Sequence, residues 1–447
     1  MKNVPLLVCE RTPVGCTPST SGETKGGEGG VARALDIPAG FEEEGAEGEG
    51  PRRRHGNTHL YKVPGTPRRR PHFSSPLSRR RRRRQRHPAV MLSLIKFPQV
   101  FSINQVPKVF HEDCIISGYR HPRSSATDCI LSLFQMTNET LNIWTHFLPT
   151  WYFLWKLVTV VLMQQGWPDP FTWPLLVFLV SCCIYPLASS CAHTFSTMSL
   201  RARHICFFFD YAALSFYSLG TAIVYSVYAF PDKWLNSSFH QWYILIAMAN
   251  TVICTILACY SRLGLPFLHY NFDVVKRLPE SPKFSKFFRI LAFAYPYMFD
   301  NIPLFYRVFL CTGEGCTDNG TDVLHYKHIA LAFITGFLFA TRLPERLAPG
   351  SFDYIGHSHQ LFHVCSILAT HFQMLAVEQD MVTRRPWLTA NSIPVSSVNS
   401  VGPGLLCVVL NLIIVFLFSL PLLSAPASQK SEDGKDKKVA AKLCSCH

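Results

Sequence analysis

From Leu141 to about Ser424 the chain carries recurring apolar runs of about 20 residues, each long enough to cross a bilayer as a helix. That leaves few folding options. Inside lipid every backbone N–H and C=O needs a partner within the segment, and an apolar run of this length achieves that as a helix. The pattern predicts eight spans, at about 141–163, 173–193, 204–229, 242–261, 287–310, 328–342, 359–378 and 401–424. The expected fold class is an all-α integral membrane protein.

The flanks read differently. Residues 1–90 are rich in Gly, Pro, Ser, Glu and Arg with almost no apolar periodicity, the composition of a disordered, Arg-rich extension. No apolar stretch follows a basic start there, so no cleavable signal peptide is expected. Residues 91–140 form an amphipathic, membrane-proximal segment broken by Pro107 and Pro122, residues 141–424 the membrane domain, and residues 425–447 a polar tail.

The formal net charge of +14 divides unevenly: residues 51–88 hold 13 Arg and one Lys with no acid, whereas residues 1–50 are net −5. Arg79 to Arg84 is an unbroken arginine run. Such a run suits a nucleic-acid contact or a nuclear address. Beside membrane spans, a solvated tail touching anionic lipid heads is the expected role, with no specific nucleic-acid partner. The 16 Cys lack zinc-finger spacing and fall mostly inside apolar runs, as small reduced hydrophobes do.

Loop charge sets an orientation. Basic residues flank the N-terminal side, the second–third loop (Arg201, Arg203), the fourth–fifth loop (Arg262, Lys276, Arg277, Lys283, Lys286) and the sixth–seventh loop (Arg342, Arg346). The alternate loops are nearly free of them. The expected arrangement has the N-terminus in the cytosol and, with eight spans, the C-terminus as well. Arg384 and Arg385 run against this pattern. The glycosylation candidates Asn236 and Asn319 fall in expected outside loops, whereas the Asn138 sequon falls inside and should stay bare. Cys311 and Cys316 share an outside loop and are candidates for a disulfide.

Ionisable residues inside apolar segments are rare and mark function by default. Here they sit at three span ends: Ser189 and His193 in SSCAH, Asp210 in CFFFDY, and His359 and His363 in HSHQLFH. On the expected orientation all three ends lie on the cytosolic side, with Asp210 about 9 Å inside span three at 1.5 Å per residue. Both His359/His363 and Ser189/His193 are spaced i, i+4, which puts each pair on one helix face. Three imidazoles with an open fourth position is the pattern of a catalytic-type zinc site, with other first-row metals left open by the sequence. Ser189 and Asp210 would then orient a water or ligand. Against this stands the plainer reading, in which each histidine hydrogen-bonds a neighbouring helix. Convergence of three at one depth favours the metal.

Other buried polar residues invite simpler accounts. Asp300 and Arg307 are candidates for lining a ligand cavity, for an ion pair, or for a pair split by depth. Lys156 is expected to snorkel. Glu139, Asn142 and Thr145 are expected to cap span one. His146 and His371 are expected to make helix-packing hydrogen bonds, and His357 to be a loop residue.

The segments TNETLNIWTH, SSCAHTFSTMS, Asp210 before Tyr211, and PERLAPGSFDYIGHSHQLFH occur in an order that resembles the progestin and adipoQ receptor family, over about residues 91–424. The resemblance implies a seven-helix bundle entered from the cytosol, with an eighth C-terminal span in the progestin branch. It implies a zinc ion held by His193, His359 and His363, with Ser189 and Asp210 on its water. It further implies a plasma-membrane receptor for progesterone or a related steroid, signalling rapidly through inhibitory G proteins. In related receptors and ceramidases the site resembles one able to hydrolyse the ceramide amide, with Asp210 as base and Ser189 beside it, so a zinc-dependent lipid amide hydrolase is the alternative function. One departure is Ser351, where the family pattern has Arg after Ala-Pro-Gly.

The abrupt change of composition at Met91 predicts that translation usually starts there. N-terminal sequencing of the native protein should find Met91 first, and a protein beginning at Met1 would refute the expectation.

Overall fold

The structure, a computed structural model, describes residues 97–163, 169–263, 282–314, 316–317, 320–392 and 394–424. The expectations for residues 1–90 and 425–447, and for Asn319, lie outside the described residues. Among those described, seven helices are long and apolar enough to cross a membrane: Thr140–Met163, Pro170–Phe195, Leu200–Ala229, Ser238–Leu263, Asp322–Thr341, Ser358–Asn391 and Val401–Ser424. They correspond to spans one to four and six to eight.

Span five departs from expectation. Instead of one run over 287–310, the chain forms Pro282–Asp300, a break at Asn301, a short helix Ile302–Phe305 and a π-helical turn Tyr306–Leu310. It is absent from the seven, because Lys283, Lys286 and Arg289 charge its first turns. Prolines 296 and 303 each remove a backbone donor further along. Span six starts earlier than 328, at Asp322. Its polar first turns read as loop in sequence but are buried in the structure through His325 and His328.

Span seven runs well past 378, to Asn391. The arginines that broke the loop-charge pattern belong to this extension. Arg384 donates to Asp232 at 2.6 Å and to the carbonyls of Tyr228 and Phe230, which end span three. Arg385 pairs with Asp169 and lies over Phe171.

Spans one to four pack in chain order, span six lies on span seven, span seven returns to span one, and span eight closes against spans three and four. Gly220 permits the approach of spans two and three, since a Cβ there would sit 2.5 Å from Ser181 Oγ. The bundle centre is largely aromatic, with Phe153, Phe178, Tyr225 and Tyr228 fully buried.

The fold is not purely helical. Ahead of span one, Val100–Phe101 pairs antiparallel with Tyr119–Arg120, and a short helix follows at Ala126–Leu131 with Ser125 as its N-cap. Tyr119 donates to Ile115 O at 2.9 Å, and burial pushes its hydroxyl up to about 12, which keeps it a neutral donor. Asp353, from the loop before span seven, accepts hydrogen bonds from the backbone N–H groups of Ile116 and Ser117 and from Ser117 Oγ, at 2.7–3.0 Å. Asn138 is buried, its N–H on Gly118 O, so its sequon is closed to a glycan; Asn236 is exposed. Cys311 and Cys316 are joined by a disulfide.

At the opposite end of the bundle, Arg307 does not meet Asp300. It donates to both oxygens of Asp380 on span seven, at 2.6 and 3.0 Å, while Asp300 accepts from Ser218 Oγ. His325 Nε2 completes the carboxylate's surroundings at 3.0 Å, and its other ring nitrogen lies 3.1 Å from His328. Lys156 reaches Glu378 on span seven at 3.0 Å.

Removing one member of a buried ion pair strands the other charge. Asp380→Asn should therefore destabilise the protein by about 3–5 kcal/mol in denaturant unfolding from detergent micelles. A change below about 1 kcal/mol would show that the arginine finds water.

Candidate metal centre

Span two delivers His193 in its last turn, after Ser189 one turn earlier. Span seven begins at Ser358 behind His357 as N-cap, with Ser358 N–H held by Glu345 at 2.7 Å. That start places His359 and His363 in the first two turns. One ring nitrogen from each of His193, His359 and His363 lies within 4.8 Å of the other two. The Nε2 atoms of His193 and His359 are 3.1 Å apart.

The opposite ring edges of two of the three are held. His193 Nδ1 faces Glu139 Oε2 at 2.8 Å, and His363 Nδ1 faces the carbonyl of Asn142 at 2.9 Å. A carboxylate and a carbonyl only accept, so each of these nitrogens carries a proton, and in the neutral ring the lone pair is then on Nε2. Two unprotonated nitrogens from separate helices, joined by a third imidazole, suit a cation. A first-row divalent ion such as zinc fits this donor set, with the carboxylate–histidine contact in its usual outer position.

Glu139 and Asn142 are therefore not simple caps. Asn142 Nδ2 donates to Glu139 Oε2 at 2.7 Å, so the start of span one fixes rings on spans two and seven, through the Glu139 carboxylate and the Asn142 carbonyl. Thr145 Oγ1 adds a contact to His363 Nδ1 at 3.2 Å. His146, rather than hydrogen-bonding across helices alone, stacks on His363 with ring centres 3.7 Å apart. His371 bonds Tyr152 at 2.8 Å, and His357 reaches Asn138 O at 3.3 Å. Glu139 lies one residue ahead of the helix and Asn142 acts through its backbone carbonyl, so side-chain spacing carried no signal for either contact.

Ser189 is buried one turn from His193. Asp210 is half-buried on span three, with no hydrogen bond to a histidine among the described residues. Phe207, a turn before it, stands edge-on to the His193 ring at 5.6 Å. The site thus holds three nitrogen donors, a carboxylate nearby and a buried hydroxyl. Arg120, from the second strand, locks the end of span two. Its guanidinium donates to the carbonyls of His193 and Thr194 and to Ser132 and Ser196.

The sequence profile of the family described as Haemolysin-III related matches residues 134–374. Among curated proteins, the chain is 69% identical over 335 residues to membrane progestin receptor gamma-B of Danio rerio, covering 74% of this chain and 96% of that protein. It is 52% identical to membrane progestin receptor gamma of Homo sapiens, over 75% of this chain and 97% of the relative. It is 53% identical to the human delta protein, over 76% and 95%.

Arg120→Ala should lower unfolding stability by on the order of 3 kcal/mol, because it removes charged donors from four buried acceptors. Arg120→Lys should recover only part, since it keeps the charge and loses the fork. Equal stability of all three proteins would refute the assigned role.

Proposed function

The chain belongs to the progestin and adipoQ receptor family of Haemolysin-III-related membrane proteins, and we propose that it is a plasma-membrane receptor for progesterone-like steroids, built around an intramembrane zinc site. The observation that carries this reading is likeness to named progestin receptors along nearly their whole length, at up to 69% identity. The chemistry agrees. A steroid is rigid and apolar with polar ends, and an aromatic bundle with a few convergent polar groups suits it. In this reading the N-terminus and the histidine end face the cytosol, and steroid binding shifts the helix arrangement toward one that engages an inhibitory G protein.

The role proposed for His193, His359 and His363 is to hold zinc, with Glu139 fixing the ring of His193 and Asn142 O that of His363. A second reading, zinc-dependent hydrolysis of a lipid amide such as ceramide, draws on Asp210 and Ser189 lying beside that donor set. When bound, the ion supplies Lewis acidity toward a carbonyl. In that reading Asp210 would take up a proton and Ser189 would orient the reacting group.

Metal analysis of purified protein, run beside tritiated progestin binding, tests both readings. We expect one zinc per chain, lost in His363→Ala, and saturable progestin binding. Glu139→Gln should weaken zinc retention against a chelator by about 10–100-fold. Absence of zinc from folded wild-type protein would remove the metal reading. Absence of progestin binding would remove the receptor reading. Ceramide turnover that stops in Asp210→Asn would establish the hydrolase.

A further inference from the structure

Next to the histidine cluster, three arginines from separate elements converge on two aromatic rings. Arg203 opens span three, Arg262 closes span four, and Arg289 lies in the first half of Pro282–Asp300. Arg262 sits 4.0 Å over the Phe207 ring and Arg203 lies 5.6 Å from the same ring. Arg289 lies 5.7 Å from the ring of Tyr211. Arg203 has a carboxylate partner, Glu112 at 2.8 Å. Among the described residues, Arg262 and Arg289 have none in ion-pair contact. Arg262 donates to Tyr211 OH at 3.2 Å and Arg289 to Ser261 Oγ at 3.4 Å, both neutral oxygens. Asp210 acts on Arg262 electrostatically without pairing with it. The Arg262 Nε is buried and has no acceptor among the described residues.

Like charges held this close repel, and a buried N–H without an acceptor is destabilising. A stacked guanidinium spends its face on the ring and keeps its N–H edges in plane. Such edges match the oxygens of a phosphate in paired hydrogen bonds, which lysine's compact ammonium does not reproduce.

We propose that Arg262 and Arg289, flanked by Arg203, form a binding site for a phosphate group, carried by a membrane lipid or free in solution. Phe207 is the shared wall between this site and His193. A phosphate on the two arginines would therefore lie beside the metal centre without touching it.

The test uses the full-length protein in phosphatidylcholine nanodiscs, with short-chain fluorescent phosphatidic acid as probe and inorganic phosphate as competitor. Wild-type protein should bind the probe saturably. Arg262→Gln and Arg289→Gln should each weaken binding about tenfold or more, and Arg262→Lys by less. Arg385→Gln, at the far end of span seven, should leave binding unchanged. Displacement by inorganic phosphate assigns the site to the phosphate group itself. Saturable binding that phosphate does not displace, yet that both Gln variants weaken, assigns it to a lipid headgroup. Thermal unfolding of each variant separates lost binding from lost fold; if Arg262→Gln melts early, the partly exposed Arg289→Gln decides. Non-saturable partitioning, or equal affinity in wild-type protein and in a folded Arg289→Gln variant, would overturn the proposal.

Discussion

The contact between Glu139 and His193 is the interaction on which the candidate site depends. A carboxylate buried among helices is tolerable only when its neighbours donate to it. Glu139 takes one hydrogen bond from an imidazole and one from Asn142. In doing so it decides which nitrogen of His193 is protonated, and so which one looks inward. The peptide carbonyl of Asn142 does the same for His363. The first turn of span one and the residue just ahead of it thereby organise nitrogen donors belonging to spans two and seven, and the convergence of the three rings follows from helix packing.

The opposite end of the bundle follows the same rule with different chemistry. Asp380 is surrounded by Arg307, Thr321 and His325, and span seven extends beyond a bilayer's usual thickness because Arg384 finds carbonyls and Asp232 to bond. Between the two ends, Tyr217, Tyr225, Thr370 and Gln373 are joined by hydrogen bonds inside an otherwise aromatic interior. Span seven contributes to all three levels. It is the element through which a change at one end has a physical route to the other, although a route is not by itself evidence of coupling.

Much of this was legible in the chain. Apolar run length marks the long helices because lipid enforces the helix, and the i, i+4 pairs His359/His363 and Ser189/His193 share faces by helix geometry alone. What escaped has identifiable causes. Glu139 and Asn142 sit where capping residues normally sit, so local spacing offered a sufficient and wrong account of them. Arg307 and Asp380 are 73 residues apart, and nothing local announces their pairing. Arg384 and Arg385 mimic a loop because a window that weighs hydropathy cannot see Asp232 or Asp169 waiting opposite. The start of Pro282–Asp300 misled in the other direction: apolar enough to suggest a span, yet charged through its first turns.

Asp353 has a wider consequence. By gripping Ile116 and Ser117 it sutures the stretch before span one to the loop that launches span seven, and His357 on Asn138 adds a second stitch. The two-stranded piece is thus a keystone over the histidine end rather than an appendage. A load on this piece therefore reaches the first turn of the helix carrying His359 through two side-chain grips.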